Sequence, residues 1–343
     1  MTFAFDGEEP VEEDRQWIAP DPSDPSVLYL AFHDLALESE IVAKSTDGGQ
    51  TFTQQALASS DPALASDTFP NTFSGPVRVD PSDTSRVYVV YGTSTFDGNL
   101  TMCETQPTNC PIGLPRRVVV AVSDDGGATF TDVVAIDSSP GSVIGNLFPW
   151  ITVDRAGNVY VAAAGSVENA DGSVTNAMFV ASSTDHGATF SAPTKINAGD
   201  GAVVFPTIVA GNDGIVDAAW LESSNPDQTK AGDWTVHFAQ SRNAHDAAPA
   251  YTEVTGPVVR QGIICTLGIS CSGNREMGDF MEIALDSFGY AHIAAPSTED
   301  SPDHSSSTNG KVVWWRQDAG PSATSAPCRK AKQADCVTTR PHP

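Results

Sequence analysis

An all-β fold is predicted by three features of the chain. An octet with the skeleton Ser-x-Asp-x-Gly-x-Thr-Phe occurs three times, at residues 45–52, 123–130 and 183–190. The segments around each octet read as short strands of β-branched and aromatic residues, bounded by Asp, Pro and Gly turns. Gly, Pro, Ser, Thr and Val are abundant, and Leu-rich helical runs are scarce.

Each position of the octet has a mechanical task. Ser45 and Asp47, Ser123 and Asp125, and Ser183 and Asp185 supply side chains that accept N–H bonds within a tight turn. Gly49, Gly127 and Gly187 supply the positive φ that other residues adopt only under strain. The Thr and Phe that follow open a strand.

The octets punctuate a longer unit. In the first, strands are expected at 17–19, 27–32, 40–44 and 51–57, with Asp21-Pro22-Ser23-Asp24 between the first two. The second unit repeats this at 77–79, 87–91 and 117–122, and the third at 150–153, 159–164 and 177–181. A fourth follows at 206–209, 215–221, 234–240 and 251–254, its octet decayed to Ser241-Arg242-Asn243-Ala244-His245-Asp246. A fifth follows at 280–285, 290–295 and 311–316. Four antiparallel strands per unit make the blade of a β-propeller.

The octets resemble the Asp-box (BNR) repeat of sialidase-like β-propellers. That resemblance implies a six-bladed ring, of which five blades are visible in the sequence. Residues 2–5 are expected to pair as a strand with the final blade, because a closed ring leaves no free edge. The propeller is assigned residues 1–317, and a tail 318–343, with its Cys328–Cys336 loop, follows as a tether or edge cover.

Loop lengths sort the two ends of the ring. Turns between first and second strands, and those bearing the octets, are short and lie on one face. Long irregular loops, among them 58–75, 94–116, 165–176, 222–233 and 256–279, lie on the other, where binding and catalysis concentrate. The octet aspartates are therefore scaffold. Residues just before the inner strands line the mouth of the central axis: Asp14, Arg15, Gln16 and Trp17, then Asn71 to Ser74, Asn146 to Trp150, Val204 to Pro206, and Arg275 to Phe280. Rings stack on sugar faces, and Arg pairs with carboxylates. Asp14, Arg15, Arg275 and Asp279 are the candidate catalytic residues; Trp17, Phe148, Trp150 and Arg116 are the candidate ligand contacts. The alternative for Arg15 and Arg275 is an inter-blade salt bridge to Asp14, Glu276 or Asp279.

A formal charge of -25 argues against nucleic acid or an anionic membrane surface as partner. No apolar run is long enough to span a bilayer. The six cysteines fall in three close pairs, Cys103 with Cys110, Cys265 with Cys271, and Cys328 with Cys336. Local disulfides in a secreted protein are expected, although six cysteines permit fifteen pairings. The acidic N-terminus does not read as a signal peptide, so the chain is expected to be a mature form or a form lacking its leader. No metal spacing is evident and no cofactor is expected; His33 reads as a hydrogen-bonded surface residue. A monomer is expected.

The sialidase resemblance implies an arginine triad, a Tyr nucleophile assisted by Glu, and an Asp acid/base. Arg15 and Arg275, with Arg116 or Arg260, match the triad by position only. The Arg-Ile-Pro motif is absent, and no Tyr precedes an inner strand. Other carboxylates expected on the loop face are Asp67, Glu168, Glu222 and Glu282. Three classes stay open: a glycoside hydrolase acting on a terminal sugar, a non-catalytic propeller binding glycan or protein at the same mouth, and a metal- or cofactor-using propeller enzyme.

Overall fold

The computed structural model describes residues 13–34, 39–61, 64, 73–94, 115–137, 143–144, 148–266, 271, 273–274, 276–299 and 310–324. They form a β-propeller of five antiparallel sheets. Blade 1 is β1 (Glu13–Pro20), β2 (Leu28–Asp34), β3 (Ser39–Ser45) and β4 (Gln54–Leu57). Blade 2 is β5 (Phe73–Val79), β6 (Val87–Ser94), β7 (Pro115–Ser123) and β8 (Thr131–Asp137). In blade 3 a short β9 (Val143–Ile144) joins the path β10 (Trp150–Val153), β11 (Val159–Glu168), β12 (Val174–Ser183) and β13 (Thr194–Lys195) by pairing with β11. Blade 4 is β14 (Val203–Ala210), β15 (Val216–Ser223), β16 (Gly232–Ser241) and β17 (Tyr251–Gly262). Blade 5 is β18 (Glu282–Leu285), β19 (Ala291–Ser297) and β20 (Lys311–Arg316). A sixth sheet is not found among the described residues, and residues 2–5 lie outside them. No helix among the described residues is long and apolar enough to cross a membrane.

Strands run further than their apolar cores suggest. The expected loop at 165–176 is instead the continuation of β11 and β12, paired from Val159↔Ser183 out to Glu168↔Val174. Likewise β17 continues to Gly262, into the expected 256–279 loop. Polar residues that read as loop pair through their backbones, which a side-chain pattern does not register.

The three octets fold alike. The Ser hydroxyl donates to the Asp carboxylate two residues on, at 2.8, 2.8 and 2.7 Å for Ser45, Ser123 and Ser183. It also accepts the glycine N–H, at 2.9, 2.9 and 2.8 Å for Gly49, Gly127 and Gly187. The other Asp oxygen accepts the Thr hydroxyl, at 2.7, 2.6 and 2.6 Å for Thr51, Thr129 and Thr189. These donors, the Thr hydroxyl first, hold Asp47, Asp125 and Asp185 down at about 2. In the decayed fourth copy Asn243 takes the aspartate's place, accepting the Ala250 N–H at 2.9 Å. The second turn also clips two blades together, since Tyr29 and Lys44 of blade 1 both donate to the Gly126 carbonyl.

The core lies between blades. Ala31, Val77 and Val89 pack between blades 1 and 2; Val90, Ile151 and Ala163 between 2 and 3. Trp150, Ile208 and Trp220 fill the 3–4 interface, and Ala219, Ile283 and Ile293 the 4–5 interface. Near the axis the backbones of blades 2 and 3 nearly touch. A Cβ on Gly75 would stand 2.3 Å from the Pro149 carbonyl, so only glycine fits. The outward faces of the first and last blades remain open, with Ile18, Val312 and Trp314 exposed.

Candidate functional site

Where the inner strands reach the loop-rich end, several of them bulge at the same place. Register slips between Asp14 and Trp17 in β1, Ser74 and Val77 in β5, and Val204 and Thr207 in β14. Beyond the slip, Trp17, Trp150, Thr207 and Glu282 occupy one tier, each opposite an alanine of the second strand: Ala31, Ala162, Ala219 and Ala294. Two residues before this tier, Arg15, Phe148 and Phe205 hold positive φ of 63°, 63° and 56°. Non-glycine residues rarely adopt that conformation, and bulges re-aim side chains. Here the effect is to draw chains from separate blades to the axis.

The result is a cluster of rings. Trp17 meets Trp150 edge-on at 4.9 Å and Phe280 edge-on at 5.2 Å. Phe148 lies 4.9 Å from Phe280, and the Arg15 guanidinium stacks on Phe148 at 3.8 Å. The Trp17 indole N–H donates to the Ser74 carbonyl at 3.2 Å. Phe148 and Trp150 are buried and form the floor, whereas Trp17 is half-buried and Phe280 exposed.

Over this floor lies a cleft of about 430 Å³ between the first blade and the last, lined by Arg15, Gln16, Trp17, Asp279, Phe280 and Glu282. A broader hollow of about 670 Å³ continues along blade 5 and shares Asp279, Phe280 and Glu282. Packing around the Glu282 carboxyl raises its pKa, and the charge of Arg78 on β5 opposes that rise. Arg78 is itself pushed down by burial and held up by Glu282. Beneath the mouth, burial pushes Glu40 up to about 8, although the Ser74 hydroxyl bonds to it. Burial, helped by the Arg15 charge, drops His33 to about 3.

Several sequence expectations meet here and others do not. Arg15, Trp17 and Asp279 share the cleft, with Phe148 and Trp150 below it. Asp14 pairs with His33 through the backbone of β1, and its side chain lies outside the described part, as does that of Arg116. Arg275, Asp67, Cys103, Cys110, Cys328 and Cys336 fall outside the described residues, while Cys265 and Cys271 are joined as a disulfide. Arg260 is not at the mouth. It is fully buried, donating to the Ile263 carbonyl at 2.8 Å and paired with Glu276 at 3.3 Å, so it braces the segment after β17. His33 is buried rather than a hydrogen-bonded surface residue, because it lies within the paired length of β2, between Asp14 of β1 and Glu40 of β3; its Nε2 has no hydrogen-bond partner among the described residues. Glu222 is buried between blades 3 and 4 instead of lying open on the loop face. Sequence reasoning named Gln16 and Phe280 among the residues before the inner strands but missed Arg78, whose charge acts on Glu282 from β5. The tier shared by Trp17 and Glu282 was the available signal, legible once the inner strands are aligned on their Asp turns.

No protein-family model matches the chain, and no curated protein matches it in sequence. Solved structures do match in shape. A protein of unknown function from Dyadobacter fermentans superimposes with TM-score 0.50 at 13% identity, covering 83% of this chain and 72% of that one. Penicillium chrysogenum α-L-arabinanase complexed with arabinobiose gives 0.48 at 10%, covering 81% and 77%. A leech intramolecular trans-sialidase gives 0.43 at 12%, covering 84% of this chain and 36% of that one. At such identities the likeness is one of fold alone.

Proposed function

We propose that this chain is a secreted, sialidase-like propeller that acts as a glycoside hydrolase on a terminal sugar held in the cleft between blades 1 and 5. One observation carries this: two carboxylates, Asp279 and Glu282, share a single cleft with Arg15 and the rings of Trp17 and Phe280. Hydrolysis of a glycosidic bond needs a proton donor and a second carboxylate. Glu282, with its raised pKa, is the donor to the leaving oxygen; Asp279 is the partner at the anomeric centre. Trp17 and Phe280 offer faces to the sugar, and Arg15 its hydroxyl or carboxylate groups. The Cys265–Cys271 disulfide supports an oxidising compartment.

A second reading, a glycan-binding propeller without catalysis, has its own support. The sialidase resemblance implies a Tyr nucleophile, yet no Tyr lines the cleft. The hydroxyls of Tyr29, Tyr88, Tyr91 and Tyr160 are committed to Gly126, Asp80, Asp132 and Asp154. Turnover of a fluorogenic sialoside and a panel of aryl glycosides decides between the readings, with Glu282→Gln and Asp279→Asn alongside. Turnover that both substitutions abolish supports the hydrolase. Glycan binding without turnover, weakened by Trp17→Ala, supports the binding module. Turnover indifferent to both substitutions overturns this site.

A further inference from the structure

Away from the mouth, blade 4 carries a second cluster of chemistry-bearing side chains. Glu222 on β15, His237 on β16 and Glu253 on β17 each bring one ligand atom to within 4.8 Å of the others. The Glu253 carboxylate lies 2.6 Å from His237 Nδ1, and the Thr235 hydroxyl lies 2.8 Å from Nε2. Trp220 stacks on the imidazole at 5.4 Å between centroids.

The outer oxygens of both carboxylates are already fixed. Glu222 Oε2 accepts from Trp220 Nε1 at 3.1 Å and from Asn197 Nδ2 at 3.2 Å. Glu253 Oε2 accepts the Ala198 N–H at 2.6 Å. Blade 3 therefore reaches over through residues 197–199 to orient the cluster. Its backbone closes on it so tightly that a Cβ on Gly199 would stand 1.9 Å from Glu222 Oε1. Glu222 and His237 are buried and Glu253 is half-buried, which leaves an approach on the Glu253 side. The neighbouring Lys195 ammonium bonds the Gly199 carbonyl and Asp200. Two carboxylates converge on one imidazole in a largely buried pocket, a donor set that a bound cation would satisfy.

We propose that Glu222, His237 and Glu253 form a binding site for a divalent transition metal, with Zn²⁺ the best match. One imidazole nitrogen and two carboxylate oxygens are donors that Zn²⁺ takes. Hydrogen bonds to the far side of each ligand are the supporting shell such sites use. The metal takes the place of the proton between His237 Nδ1 and Glu253, and His237 binds it as the neutral imidazole with Nε2–H donating to Thr235. Its role is a clasp that secures the 197–199 segment of blade 3 to blade 4.

Chelator-stripped full-length chain is titrated with Zn²⁺ against a chromophoric chelator, and with Co²⁺ for its visible spectrum. One equivalent is expected, with a raised Tm and weaker binding at lower pH. His237→Gln and Glu253→Gln should each weaken binding at least ~10-fold, whereas His186→Gln, in the third octet, should leave it unchanged. Where His237→Gln does not fold, the Co²⁺ spectrum of the wild-type chain and Glu222→Gln decide. Absence of stoichiometric binding, or binding that His237→Gln does not alter, overturns the proposal and leaves a His–Glu ion pair. None of these readouts involves a sugar.

Discussion

The Trp17 indole meets the Phe280 ring edge-on at 5.2 Å, joining the inner strand of the first blade to the segment that leads into the inner strand of the last. This contact bridges the first and last blades at the mouth and forms one wall of the cleft. Trp17 also packs on Trp150 and donates to the Ser74 carbonyl, so three other blades depend on one side chain. Trp17→Ala should lower stability by about 3 kcal/mol, in line with large-to-small changes at packed aromatic positions. Phe280→Ala, starting from a residue 42% exposed, should lower it by about half of that. Chemical denaturation measures both; equal losses would mean that the Trp17 contacts to Trp150 and Ser74 add nothing beyond the contact to Phe280.

Stability should be greatest near pH 4 and fall on both sides. Glu40 and Asp217 are raised by burial to about 8 and about 7. The folded state binds their protons more tightly than the unfolded chain, so their contribution is complete below the unfolded values near 4 and is lost as pH rises to those points. His33, depressed to about 3, works the other way between its ordinary value and 3. The three octet aspartates, held at about 2, lose their contribution as pH falls from about 4 to 2. Glu40→Gln should flatten the alkaline limb, measured as Tm against pH between 5 and 8. An unchanged slope in that variant would remove Glu40 from the account.

The scaffold was far more legible in the sequence than the site, for a physical reason. Turn chemistry is local: Ser45, Asp47 and Gly49 make their bonds within five residues, so the pattern is written out in order. Alternating strands placed the blades, although polar stretches such as 165–176 hid the ends of β11 and β12. The cleft is assembled otherwise. Arg15 and Glu282 share a cleft only because the first and last blades come together, and Arg78, whose charge acts on Glu282, sits in the interior of a strand where an Arg looks like any exposed residue. Glu222, His237 and Glu253 likewise come from three strands with no motif spacing.

Gly127→Ala should test the scaffold without touching the cleft. Gly127 holds φ of +80°, and a Cβ there would stand 2.9 Å from Tyr29 Cε1. Left-handed backbone at a non-glycine residue costs about 1–2 kcal/mol before that clash is counted. A loss of about 2 kcal/mol is expected, with sugar binding at the mouth unaltered. A loss of binding at temperatures where the variant is fully folded would tie the octet face to the mouth, contrary to the separation seen here.

Removal of the Cys265–Cys271 link should act on the site more than on the blades. The pair closes a short loop just before Asp279 and Phe280, with a sequence separation of 6. Loop-closure entropy for so small a ring amounts to about 2 kcal/mol. A Cys265→Ser, Cys271→Ser variant should keep its far-UV β signal while its amides from 263 to 281 exchange faster. Collapse of the β signal would show that the link supports blade 4 itself.

Arg78 should set the proton affinity of Glu282 without entering the cleft. Glu282 is an exposed residue whose carboxyl is nonetheless raised by desolvation, and the guanidinium charge of Arg78 pulls it back, so the two effects oppose each other. Arg78→Met keeps an unbranched apolar stem and removes the charge. The Glu282 pKa must then rise further, because only the desolvation remains. Carboxyl carbon chemical shifts across a pH titration read this directly, with Glu282→Gln assigning the signal. Any glycosidase activity should keep its protonated donor to higher pH in Arg78→Met, moving the alkaline limb of the rate profile upward. A Glu282 titration that stays in place, or moves down, would mean that Arg78 does not act on that carboxylate.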